Sequence, residues 1–379
     1  MALAIVLIAL LIGVVLFHAA SPWWLTPLAS NWGLIDDTLS ITLLITGAVF
    51  IAVNVFIIYC LLHFRRREGH EAEYQPPNKK LELILIGLTA LGIAAMLAPG
   101  LFVYADLINP PDDALVVEAV GEQWKWSFRL PGKDGRLGTS DVRFVSPANP
   151  FGLNPADPHG QDNLLVSAPE LHLPVNKPVK MLLRSKDVLH DFYVQPFRAR
   201  MNLVPGMVTY FWFTPTQTGR YEILCAQLCG VGHFNMRGYV VVDSEADWRA
   251  WLGKQTTFAQ SQLQPATPTQ ALSGDALVAQ GKALAQSKGC VACHSATGSA
   301  GVGPAWLGLY GKQEHLTGGK IAQVDDAYLK EAITTPNSKQ VEGFQPIMPK
   351  IELNDQEVNA LVAYIKSLSG KGGEQAAQK

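Results

Sequence analysis

Hydrophobic positions are spread unevenly along this chain: nearly every long apolar run lies before Asp106, and short alternating stretches follow. Residues 41–62 are uncharged and long enough to cross a hydrocarbon core of ~30 Å at ~1.5 Å rise per residue. Residues 83–105 form a second such run, with Pro99 near its end. Together they predict a transmembrane helix hairpin over 38–106. The run at 2–17 is shorter, so residues 1–20 are either a signal peptide or an extra membrane helix. No Lys or Arg precedes that run, and His18 stands third from the would-be cleavage point at Ala20, which favours a retained helix. Beyond residue 106 the pattern changes to strands. Stretches 115–120, 180–184, 209–213 and 239–242 are short, β-branched or aromatic, and separated by Pro/Gly turns, as in a small sandwich. Residues 131–163 read as a long loop, 247–252 as a closing helix, and 254–273, dominated by Gln, Thr, Ala, Ser and Pro, as a linker. Residues 275–288 and 355–368 are predicted helices. In the second, Val358, Leu361, Val362, Ile365 and Leu368 recur at helical spacing behind Asn354 as N-cap, and the tail after Gly370 is expected to fray.

Charge adds an orientation. Arg65, Arg66, Arg67, Lys79 and Lys80 lie between the second and third apolar runs, whereas residues 18–40 have no Lys or Arg. The positive-inside bias puts 64–80 in the cytoplasm and everything after about 106 outside, in the periplasm or its equivalent. The 379 residues allow two or three domains, and a net charge of −2 gives no electrostatic reason to expect nucleic acid as a partner.

The chemistry lies in the cysteines, of which there are five. Cys60 sits in a membrane run and reads as a small packing residue. Cys225 and Cys229 belong to Cys-Ala-Gln-Leu-Cys-Gly-Val-Gly-His-Phe-Asn-Met. A strand ending at Cys225 and a tight loop would bring Cys225, Cys229, His233 and Met236 together, with His190 from an earlier strand end. One thiolate, two imidazoles and a thioether make a blue-copper site, and a second thiolate lets two sulfurs bridge two copper ions. A disulfide or a structural zinc site are the alternatives, and both leave Met236 without a task. The second pair, Cys290-Val-Ala-Cys293-His294, is the c-type haem attachment pattern, with His294 as proximal ligand. A thioredoxin-like redox pair would need a βαβ context, and these surroundings are helical. Met348, in Pro-Ile-Met-Pro, is the only Met after Met236 and is the expected sixth ligand.

With these residues in place, the chain resembles subunit II of the haem-copper cytochrome c oxidases, in the caa3 version that carries a fused C-terminal cytochrome c domain. The resemblance covers residues from about 38 to 368. It implies a multidomain membrane protein: two or three transmembrane α-helices, a cupredoxin-like β-sandwich at 112–253, and a small all-α cytochrome c domain at 274–370. It implies that His190, Cys225, Cys229, His233 and Met236 hold a dinuclear CuA centre, joined by the carbonyl of Gln227. The family usually has Glu there, whose carboxylate also helps bind a magnesium or manganese ion, and an amide is a poorer ligand for such a cation. Trp124, in Gly-Glu-Gln-Trp-Lys-Trp-Ser-Phe, matches the position where electrons arrive, or is simply core, as Trp126 is read. Glu82 matches the carboxylate at the mouth of a proton pathway, or is an acidic residue favoured at a helix N-terminus. Gly303-Pro304 resembles the turn behind the proximal haem ligand.

The function so implied is an electron-transfer subunit. It would pass electrons from a cytochrome c or similar donor, through covalent haem c and copper, to a partner subunit I that reduces O2 to water with proton translocation. A donor subunit for a nitric-oxide-reducing relative and a free-standing tethered carrier are the other classes. Two membrane helices argue against the carrier, for which one anchor would suffice.

Overall fold

The computed structural model describes residues 2–21, 26–65, 69, 74–146, 149–166, 169–263, 273–299, 301–351 and 353–376. The apolar runs form α1 (Ala2–Ala20), α2 (Gly33–His63) and α3 (Lys79–Leu107), each long and apolar enough to cross a membrane. Their apolar side chains point outward all round, as lipid-facing helices require. α2 begins before the expected Thr38. α3 is capped by Asn78, whose side chain accepts from Lys80 N and Leu81 N at 3.2 Å. Of the basic residues used for orientation, Arg66 and Arg67 lie outside the described residues; Lys79 and Lys80 open α3.

The short runs become strands: β1 (Leu115–Glu122), β2 (Lys125–Leu130), β3 (Leu164–Val166), β4 (Glu170–Pro174), β5 (Val179–Ser185), β6 (His190–Tyr193), β7 (Arg200–Leu203), β8 (Thr209–Phe213), β9 (Gly219–Cys225), β10 (Arg237–Asp243) and β11 (Thr256–Thr257). They build two sheets, ordered β11-β3-β2-β1-β5-β8 and β4-β10-β9-β6-β7. β5 shows the alternation that puts a sheet over a core: Val179, Met181 and Leu183 are buried and their neighbours are less so. Phe128, Phe192, Phe211 and Phe213 fill the space between the layers. Helix α4 (Glu245–Leu252) closes the sandwich with buried Trp248.

Among the described residues, 131–163 carry no named strand, as expected, but they are fastened. Glu118 on β1 accepts from Arg129 Nε and Arg184 Nε, both at 2.6 Å, and Arg129 reaches on to the Gly138 carbonyl and the Asn163 side chain. Glu118 and Arg129 are each 3% exposed. Glu118→Gln would leave two guanidinium groups facing a neutral amide in the interior, so a loss of about 3–5 kcal/mol is expected, read as a fall in the sandwich's unfolding midpoint. A fall of under ~1 kcal/mol would mean that the triad is solvated and of little weight.

The linker is shorter than the composition suggested. Thr256–Thr257 pairs with β3, and helix α5 (Phe258–Leu263) starts with a fully buried Phe258 in a small core with Val120, Phe151 and Leu153. A single aromatic plug does this, and one turn is too short to show a period. The rest of the stretch, 264–272, lies outside the described residues.

Residues 26–32, just before α2, pack into the sandwich. Trp32 is fully buried, donates to the Trp212 carbonyl at 2.8 Å and packs edge-on against its ring at 5.0 Å. Arg198 binds Asp36 and the Thr26 carbonyl, and Trp212 Nε1 donates to the Asp106 carbonyl at the end of α3.

The C-terminal unit contains α6 (Asp275–Ser287), α7 (Asp326–Thr334) and α8 (Asp355–Ala376), plus a hairpin of β12 (Gln313–Leu316) and β13 (Lys320–Gln323) that the helical reading lacked. α6 and α8 cross closely at Gly281, where a Cβ would stand 2.0 Å from the Ala360 carbonyl oxygen. Asn354 caps α8 as expected, and the helix continues past Gly370.

Candidate functional site

Strand register assembles the first constellation. β6 pairs with β9 through Phe192 opposite Cys225, so His190, at the start of β6, comes alongside the end of β9. His190 Nδ1 lies 3.9 Å from Cys225 Sγ. The loop after Cys225 returns to β10, and Cys225 N bonds the Met236 carbonyl at its neck. Within it Cys225 Sγ and Cys229 Sγ are 3.7 Å apart, Cys229 Sγ is 3.4 Å from His233 Nδ1, and Met236 Sδ is 4.0 Å from Cys229 Sγ. The Gln227 carbonyl faces Cys225 Sγ at 3.2 Å. All six expected ligand positions therefore converge. Ligand atoms of His190, Cys225 and Cys229 lie within 4.8 Å of one another, a spacing that a metal ion could span.

The donor set fits bridged copper. The sulfurs stand well beyond the ~2.05 Å of a disulfide, and both thiols are free and buried. Met236 is fully buried beside them, where zinc would have no use for it. Asp187, which the motif did not flag, accepts from His190 Nε2 at 2.8 Å and so leaves Nδ1 to face the sulfurs. Burial opposes ionisation of Cys225, but hydrogen bonds from His190 and from nearby backbone groups outweigh it and lower its thiol pKa. Burial and the neighbouring Cys225 hold Cys229 up. Copper must displace these protons, so its apparent affinity is expected to fall steadily on acidification, measured by titration with a competing chelator. A pH-independent affinity would show that the thiols are not ligands.

Trp124 and Trp126 divide as their surroundings dictate. Trp126 is core, edge-on to Phe192 at 5.5 Å. Trp124 Nε1 donates to the carbonyl of Cys229 at 3.1 Å, and Gln123 Nε2 to the same oxygen at 2.9 Å. Gly232 makes this approach feasible: a Cβ there would stand 2.3 Å from the indole ring. Gly232→Ala is expected to lift Trp124 off the loop, seen as lost quenching of its fluorescence on copper binding. Unchanged quenching would show that the indole tolerates the methyl group.

The second constellation surrounds an apolar cleft with about 1430 Å³ of empty space, counting its open mouth. Cys290, Cys293, His294 and Met348 all line it. His294 Nδ1 bonds the Pro304 carbonyl at 2.8 Å, and its ring stacks on Trp306 at 5.1 Å. A Cβ at Gly303 would stand 2.6 Å from that ring, so the Gly-Pro turn cradles it. Burial lowers the His294 pKa against the pull of the Pro304 carbonyl, which favours a neutral imidazole with Nε2 free to ligate. Burial pushes the Cys290 thiol up to about 11 and raises Cys293 too, the opposite of a reactive redox pair. These residues fit a covalently held porphyrin.

Comparison with known proteins agrees. Residues 115–244 match the family described as cytochrome c oxidase subunit II, periplasmic domain, and residues 278–369 match cytochrome c. An alternative cytochrome c oxidase subunit 2 from Bradyrhizobium diazoefficiens is 60% identical over 259 residues, covering 68% of this chain and 94% of that one. The chain belongs to the cytochrome c oxidase subunit 2 family. A cytochrome c oxidase subunit 2 from Alkalihalophilus pseudofirmus is 23% identical over 343 residues, 88% of this chain and 87% of that one. A crystal structure of the periplasmic domain of subunit II of cytochrome oxidase of Bradyrhizobium japonicum covers 38% of this chain and 95% of its own, at 24% identity and a TM-score of 0.28. This subunit 2 is thus an electron-transfer subunit with an appended cytochrome c domain. Its cofactors are copper and covalent haem c. Apolar helices anchor it, with the copper domain on the outer side of the membrane.

Glu82 stands apart from both sites, in the first turn of α3. Sequence reasoning missed Gln123, Asp187 and Asn235. Gln123 and Asn235 adjoin motif residues and Asp187 lies three before His190, but their partners are set by folding.

Proposed function

We propose that this chain relays single electrons from a cytochrome c or similar donor, through its haem unit and its copper loop, to a subunit I that reduces O2 to water with proton translocation. One observation carries the reading: Trp124, bonded to the Cys229 carbonyl, also lines the cleft of Cys290, Cys293 and His294. When bound, the haem and the copper pair each take up and release one electron. Cys290 and Cys293 would fix the haem, and His294 and Met348, which line the same cleft, would ligate its iron. His190, Cys225, Gln227, Cys229, His233 and Met236 would hold the copper pair, and the buried walls keep water from it. Trp124 bridges the two regions and Gln123 braces its target carbonyl. Glu82 would deliver protons at the cytoplasmic end of α3, while the amide of Gln227 would be a poorer ligand for a hard cation than a carboxylate.

Optical and electron paramagnetic resonance spectra of the purified, loaded chain test this. A seven-line copper pattern beside a low-spin c-haem spectrum is expected, with O2 uptake when the catalytic partner is present. A four-line or silent copper signal would overturn the dinuclear assignment. Nitric oxide consumption in place of O2 uptake would move the chain to the nitric-oxide-reducing class.

A further inference from the structure

The haem-attachment turn lies against the copper-ligand loop. Asn235, between His233 and Met236, donates from Nδ2 to the carbonyl of Ala292, between the two thioether cysteines. Beside this bond Cys293 packs on the sandwich core. Gly289, at φ +74°, brings the backbone so near that a Cβ there would stand 3.8 Å from Trp124 N. Trp124 is left 9% exposed.

We propose that Asn235 is a docking residue. It holds the chain's own 289–293 turn as resident occupant of the face around Trp124, so a soluble electron-carrying protein delivers to the haem unit and not to Trp124. A neutral amide suits that task. Surface charges steer many partners and are screened by salt, whereas a side-chain amide on one backbone carbonyl reads only local geometry. Because both units share one chain, docking is intramolecular, and one net hydrogen bond shifts its equilibrium about fivefold.

The inference rests on the reading above that haem is carried at Cys290 and Cys293 and copper by the loop. Asn235→Leu and Asn235→Asp, made in the full chain, are close to Asn in size and cannot donate. Spectra of the unaltered chain report on the functional reading, and their absence would be its failure alone. Amide hydrogen exchange at 123–124 and 289–293 is expected to quicken about fivefold in both variants, with exchange in α8 unchanged. After a light pulse, the one-electron exchange in which haem iron(II) becomes iron(III) and the copper pair is reduced, with no bond made or broken, is expected to slow, by up to that factor. The exchange comparison is repeated on copper-free protein, so a variant that loads poorly is still judged. Either readout unchanged in both variants overturns the proposal, as does quickened exchange spread through α8.

Discussion

Cys229→Ser is expected to erase the seven-line copper pattern completely while leaving the c-haem spectrum as it was. Cys229 Sγ sits among the expected ligands, 3.7 Å from the other thiol, 3.4 Å from His233 Nδ1 and 4.0 Å from Met236 Sδ. A serine hydroxyl is a harder donor than a thiolate, stays protonated at neutral pH, and does not bridge two copper ions. The electron would then localise on one metal and give four lines, or the site would stay empty. The haem is expected to survive because Cys290 and Trp306, on which the His294 ring stacks, belong to a separate core with α8. Persistence of the seven lines in the serine variant would remove Cys229 from the bridge.

Met348→Ala is the second large effect. Met348 lies between Pro346 and Pro349, in a loop tied by Asn337 Nδ2 to the Met348 carbonyl at 3.4 Å. The loop's backbone does not need the thioether, so the fold is expected to hold while the sixth position opens. Losing a thioether ligand should lower the haem potential by roughly a few tenths of a volt and let carbon monoxide bind. Redox titration and a carbon monoxide difference spectrum measure both. A low-spin spectrum indifferent to carbon monoxide would mean that a different residue is the ligand.

What the sequence disclosed followed the range of the interactions involved. Membrane helices are continuous apolar runs, and the metal motifs are compact spacings, so both are legible locally. His190 is farther away, yet a strand end joins it to Cys225 by ordinary pairing. Features made by distant meetings were hidden. Trp32 bonds residue 212, Phe258 fills a gap beside Phe151, and Asn235 meets Ala292 across two units; none lies on a periodic stripe. Trp124 is the intermediate case: sequence supplied the candidate, and only Gly232 and the Cys229 carbonyl distinguish it from core Trp126.

The attachment of the sandwich to its helices has a mechanical corollary. Arg198 grips the start of α2, Trp32 is sunk into the sandwich just before it, and Trp212 holds the last turn of α3. Trp212 is common to two of these contacts, so the start of α2 and the end of α3 are fastened to one corner of the sandwich. Any change in how those two helix ends sit would therefore reach the sandwich through Trp212 and Arg198 directly, with no free hinge between them.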